Sequence, residues 1–184
     1  MESKMEQQTK TNNEQLAIVT AEYNPYDHRN FDYQVKRLMH YKAAASYAVK
    51  VIEDPKNYWF TAWGSPMWNT RIGIYDDTKT EIAGFGNSTS KYWDAIESIS
   101  SLYAAVMYVF AAMREARQRV IAIGLQEMTP AEIEKEFGLS RGTVRKYIFD
   151  NRQALHEVGV IRQADKRTIL CKRGWAICRW GNKK

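Results

Sequence analysis

Asp76, Asp77 and Glu81 place three carboxylates within six positions, a set that could hold Mg²⁺ for phosphodiester hydrolysis. The same Asp76-Asp77-Thr78-Lys79 run suits a hairpin turn on conformational grounds alone, and we read it so. Gly84-Phe85-Gly86-Asn87-Ser88-Thr89-Ser90-Lys91 invites comparison with phosphate-cradling loops, yet it has neither the GxxxxGK[ST] spacing nor a βαβ setting and reads as a turn and helix cap. His28, His40 and His156 are scattered, and Cys171 and Cys178 stand seven apart without a CxxC pair. Neither zinc, nor a disulfide framework, nor a general base is indicated. No Ser, Cys or Thr stands in a nucleophile motif. The expectation is no enzyme activity, no metal and no cofactor.

The cations are more informative. Residues 1–128 carry 14 Lys and Arg against 15 Asp and Glu, whereas residues 129–184 carry 13 against 6, so the net charge of +6 resides wholly in the last 56 residues. A merely solvated surface would spread its charge; a face for polyanions concentrates it.

A chain of 184 residues can bury one proper core and a small second one, and 45% hydrophobic and 12% aromatic residues, six of them Trp, make it a folded chain. Residues 1–13 are polar, lack the apolar stretch of a secretory signal and read as a flexible tail. The longest apolar run, residues 102–113, is too short to cross a bilayer, which takes about 20 residues. No membrane partner and a cytoplasmic location with reduced thiols are expected.

Residues 14–125 read as an N-terminal α+β domain of helices and a small antiparallel sheet. An amphipathic helix is expected over about 31–53, through Val35, Leu38, Met39, Tyr47, Val51 and Ile52, ended by Asp54-Pro55. Arg71-Ile72-Gly73-Ile74-Tyr75 and Glu81-Ile82-Ala83-Gly84-Phe85 flank the polar turn as a hairpin. A second helix over about 92–123, capped by Ser90, repeats Trp93, Ile96, Ile99, Leu102, Tyr103, Val106, Met107 and Phe110 at threes and fours; its middle, apolar almost all round, suits either the domain core or a homodimer seam.

Residues 126–184 form the basic module. Thr129 and Glu132 make a capping box with Pro130 at the first helical position, Ile133 and Phe137 line the inner face, and Gly138 ends the helix after about two turns. Leu139 plugs the turn, Ser140 caps a second helix, and Val144, Ile148 and Leu155 give that helix its apolar stripe. Arg141, Arg145 and Arg152, with Gly142, Thr143 and Lys146 near its start, face outward. Arginine pairs bidentately with guanine or grips phosphate, and Ser140 with the helix N-terminus suits a phosphate oxygen. Downstream, residues 160–162 and 168–171 flank a basic tip as a second hairpin, with Arg162, Lys166 and Arg167 placed for contact and Lys172 and Arg173 following. Trp175 and Trp180 close a small core in preference to stacking on nucleic acid.

The run EIEKEFGLSRGTVRKYI resembles the helix-turn-helix superfamily of transcription factors, with Glu134 where that family usually has Ala between the helices. With the hairpin after it, the module is similar to winged-helix proteins. The resemblance implies binding to double-stranded DNA by a small bacterial or phage transcriptional regulator whose N-terminal domain dimerises or senses a ligand. In size and organisation the chain also resembles type II-A anti-CRISPR proteins, which would make its N-terminal domain a surface for a host RNA-guided nuclease.

Overall fold

The computed structural model describes residues 15–22, 33–35, 37–76, 81–85 and 100–181. The expected tail at 1–13, the hairpin tip at 77–80 and the stretch 86–99, with its Ser90 cap and Trp93, Ile96 and Ile99, lie outside them. The chain is α+β with small antiparallel sheets, and it divides into two compact units: residues up to Tyr58 with Trp68–Arg117, and Trp59–Met67 with Gln118–Lys184.

The first unit is built on β1 (Gln15–Glu22), the centre of an antiparallel sheet ordered β2-β1-β6-β7, where β2 is Tyr33–Val35, β6 Thr70–Tyr75 and β7 Glu81–Phe85. Leu16 through Ala21 are all buried, so this run stands in the sheet with both faces covered. The β6–β7 hairpin forms as expected, with Ile72 opposite Phe85 and a bulge between Ile74 and Tyr75. One expectation fails: residues 33–35 and 39–40 are strands, β3 being Met39–His40 on β1, and the helix α1 is confined to Tyr41–Glu53. Val35 and Leu38 matched a helical period, but pairing with β1 satisfies the backbone of 33–35 and 39–40, and His40, whose Nδ1 accepts from the Lys42 amide, starts the helix after them.

Ala44, Ala45, Ala48 and Ile52 form the buried stripe of α1, and the Trp68 indole N–H donates to the Ile52 carbonyl at 3.0 Å. The helix α2 (Ser100–Leu125) buries Leu102, Ala105, Val106, Val109, Phe110, Met113 and Ala116 along one stripe, while Tyr103 and Tyr108 stay exposed; Tyr108 meets Tyr41 edge-on. Its middle is thus buried on one side, not all round.

Strands β4 (Tyr58–Phe60) and β5 (Pro66–Trp68) form a hairpin closed by Thr61 and Ser65, and its residues 59–67 belong to the second unit. Residues 59–67, expected in the N-terminal domain, belong here because Phe60 is buried against glycines: a Cβ on Gly124 would lie 2.2 Å from the Phe60 ring and one on Gly174 2.8 Å from it. The Phe60 amide also donates to Cys178 Sγ at 3.1 Å, and that thiol donates back to the Phe60 carbonyl. After α2 come β8 (Glu127–Met128), α3 (Pro130–Glu136), α4 (Thr143–Asp150), α5 (Arg152–Glu157), β9 (Ile161–Gln163), β10 (Ile169–Lys172) and α6 (Arg173–Ala176). The strands form a three-stranded antiparallel sheet ordered β8-β10-β9. Ile133, Val144, Ile148, Leu155, Val160, Ile161, Cys171, Trp175 and Trp180 make one core. Trp175 and Trp180 pack edge-to-face within it, with Tyr147 beside them.

Gly124→Ala is expected to destabilise the second unit by about 1–3 kcal/mol through overpacking against Phe60, measured by urea unfolding. Unchanged stability would mean that Phe60 has room to move.

Candidate nucleic-acid interface

The helix α3 starts as its sequence dictates. The Thr129 side chain accepts from the Glu132 amide at 3.3 Å, Glu132 accepts from the Thr129 amide at 2.7 Å, and Pro130 takes the first turn. That amide, with the Thr129 hydroxyl, holds the Glu132 carboxyl below its ordinary value of 4.5. The helix closes in a Schellman arrangement: Leu139 N–H donates to Glu134 O, Gly138 N–H to Lys135 O, and Gly138 has φ 63°. Leu139 thereby turns back onto the core.

Two expectations for α4 are corrected. Ser140 does not cap it; Gly142, at φ 86°, holds the N-cap position, and the Ser140 carbonyl accepts from Thr143 N–H. The cap comes instead from the preceding helix, because a Glu134 Oε1 accepts from the Val144 amide at 3.0 Å. Glu134 is only 7% exposed, and this bond satisfies a backbone donor at the buried helix–helix junction. With the Thr143 and Val144 amides engaged, a phosphate at this end would meet side chains, not those two donors. The helix also stops at Asn151, so Leu155 belongs to α5. Both helices still turn Val144, Ile148 and Leu155 into the shared core.

Outside that stripe, Arg141, Thr143, Arg145 and Lys146 are exposed, with Gly142 half-buried between them. Arg152, also exposed, donates to Gln163 Oε1 at 3.1 Å and thereby links α5 to β9. The hairpin tip between β9 and β10 carries Lys166 and Arg167. It is held by Asp165, whose Oδ1 accepts from the Arg167 amide at 2.7 Å and the Thr168 amide at 2.8 Å. Those bonds hold the Asp165 carboxyl below its ordinary 3.8, the Arg167 amide contributing most.

The structure separates the other expected cations from this set. Arg162 forms a bidentate ion pair with Glu127 across the sheet, a contact that lowers the Glu127 carboxyl and raises the guanidinium. Arg173 donates to Glu136 at 2.8 Å and to Gln126 at 2.8 Å, and so ties α6 to α3. Lys172 is half-buried and pairs with Glu127 in register on β10 and β8. Arg162 and Arg173 thus join elements of the unit. By contrast, among the described residues no carboxylate forms a salt bridge with Arg141, Arg145, Lys146, Arg152, Lys166 or Arg167.

Several of these cations line two adjoining grooves. One, about 630 Å³, is bordered by the start of α3, by α4 and by the β9–β10 hairpin, and is lined by Arg145, Arg152 and Arg167 with Phe149, Pro130, Ile148 and Ile169. The other, about 340 Å³, is lined by Arg152, His156, Gln163 and Lys166, with the paired Arg162. Arg152 borders both, and no Asp or Glu lines either. Phe149, unremarked in the sequence, is the residue a helical projection would have flagged: it follows buried Ile148 and lies outside the Val144–Ile148 stripe.

Among the described residues no group of His, Cys, Asp and Glu is arranged to hold a metal, and no helix is long and apolar enough to cross a membrane. Asp77 lies outside those residues, so the Asp76-Asp77-Glu81 set has no described geometry. Burial pushes the Cys171 thiol up to about 12, and desolvation raises that of Cys178 against the bond from the Phe60 amide. Comparison of the chain with protein-family models, with curated proteins and with solved structures finds no match.

The Asp165 turn sets a pH dependence. Its folded carboxyl lies below the ordinary 3.8, so the stabilisation is complete above that value and is lost as pH falls through the folded one. Amide shifts of Arg167 and Thr168 should stay constant from neutrality to about pH 4 and move toward random-coil values below it. An acid-insensitive tip would show that Asp165 does not hold it.

Proposed function

We propose that the second unit is a winged helix-turn-helix that binds double-stranded DNA and that the protein is a small bacterial or phage transcriptional regulator. The observation that carries this reading is the acid-free groove between α4 and the β9–β10 hairpin, lined by Arg145, Arg152 and Arg167. Guanidinium groups gathered round one groove from three elements attract anions, and a nucleic-acid backbone supplies anions at regular spacing. Two short helices, α3 and α4, joined by the Gly138 turn and followed by a β-hairpin, support the helix-turn-helix reading. In this reading α4 enters the major groove with Arg141, Arg145 and Lys146, while Arg152, Lys166 and Arg167 grip phosphate.

Binding to pooled random duplexes near physiological salt, with sequencing of the retained fraction, tests the proposal. Enrichment of one motif over random DNA by about a thousandfold or more supports a regulator, and a palindrome supports a homodimer. Arg141→Ala/Arg145→Ala should abolish that enrichment. Lys166→Ala/Arg167→Ala should weaken binding to all sequences and make the salt slope shallower by about 0.9 for each phosphate that is no longer neutralised. Absence of any retention would refute DNA binding.

Exposed Tyr103 and Tyr108 in the first unit favour a second reading, a mobile-element inhibitor of the type II-A anti-CRISPR kind whose N-terminal domain binds the nuclease. Large exposed aromatics are the residues that anchor protein interfaces. There the host RNA-guided nuclease is the partner and DNA contact is accessory, so retention without enrichment, together with nuclease inhibition that survives Arg141→Ala/Arg145→Ala, would select it.

A further inference from the structure

Phe149 is the most exposed of the large apolar side chains among the described residues, at 81%. At 100° per residue it stands about 120° round α4 from the Val144–Ile148 stripe, between the projections of Arg145 and Lys146. It therefore projects from the outward face beside those two cations and not from the buried stripe. It also lines the groove that holds Arg145, Arg152 and Arg167, beside Pro130, Ile148 and Ile169. An apolar ring left in water there forgoes most of its burial energy, and its flanking cations select what can cover it. The occupant must present an apolar group within a strongly anionic surface.

An ordinary protein surface with an apolar pocket would set aliphatic side chains against these guanidiniums and leave them desolvated and unpaired, at a cost. B-form DNA offers the needed combination: the 5-methyl group of thymine projects into the major groove between two rows of phosphates. We propose that Phe149 reads a thymine 5-methyl group, while Arg145, Arg152 and Arg167 hold the flanking backbone. This inference rests on the DNA-binding reading and adds to it a residue that determines base preference. Phe149 has no hydrogen-bonding group, so its discrimination is by contact alone, thymine over cytosine or uracil at one position.

The test uses the full-length protein and duplexes enriched from the random pool, or the pool itself if nothing is enriched, synthesised with thymidine or with deoxyuridine in its place. Uracil pairs as thymine does and lacks only the methyl. Wild-type protein should bind the deoxyuridine duplex about fourfold more weakly for each methyl contacted, the effect of burying one such group. Phe149→Ala should bind the thymidine duplex more weakly than wild type and no longer distinguish the two. Because the side chain is exposed, Phe149→Ala should unfold at the same urea concentration as wild type. Equal wild-type binding to both duplexes would overturn the inference while leaving DNA binding intact. Undiminished DNA binding by Phe149→Ala with a changed sedimentation coefficient would also overturn it, by showing that a second copy of the chain covers the ring. No DNA binding by wild type would overturn both readings.

Discussion

The second unit turns on a single buried carboxylate. A tight turn between two short helices brings the start of α4 against α3 and buries the Val144 amide there. Glu134 resolves this by accepting from the Val144 amide across the junction. The bond and the Schellman turn at Gly138 act on the same few residues, one from each side. They set the helix pair that turns Val144 and Ile148 inward, and with it Arg145, Lys146 and Phe149 outward. An Ala at position 134 packs two helices but caps neither, and Gly142 at the α4 N-cap has no side chain to do it.

The charge of the unit divides by the same logic. Arg162 and Arg173 each sit where two elements converge and meet a carboxylate there, Glu127 in one case and Glu136 in the other. A guanidinium presents several donors in a fixed fork, which suits it to join strand to strand or helix to helix. Arg145, Arg152 and Arg167 point instead into a groove that no acid lines. Near-identical side chains in one basic stretch thus serve cohesion or attraction according to what the fold sets opposite them.

Much of the basic module was legible in the sequence because its signals are local. A capping box needs only Thr129 and Glu132 three apart, a left-handed turn needs only Gly138, and the β9–β10 hairpin follows from β-branched residues on either side of a polar tip. The β6–β7 hairpin was legible for the same reason. The N-terminal strands were not: Val35, Leu38 and Met39 fit a helical period, and only the availability of β1 as a pairing partner drew Val35 and Met39 into strands. Position in the chain also misled for Trp59–Met67, which the glycines at 124 and 174 draw into the second unit.

By itself the sequence determined where the cations lie, where α3 begins and ends, and which apolar residues form the small core, since these depend on residue type and on neighbours within about one helical turn. Tertiary structure alone decided that Glu134, not Ser140, caps α4, that Arg162 and Arg173 are ion-paired, and that Phe149 stands in a cationic groove. Each of those outcomes depends on a group brought close in space by the fold. The physical reason is the reach of the interaction: a backbone conformation is chosen by adjacent residues, but a carboxylate's partner is whatever the packing of elements distant in sequence places within about 3 Å of it.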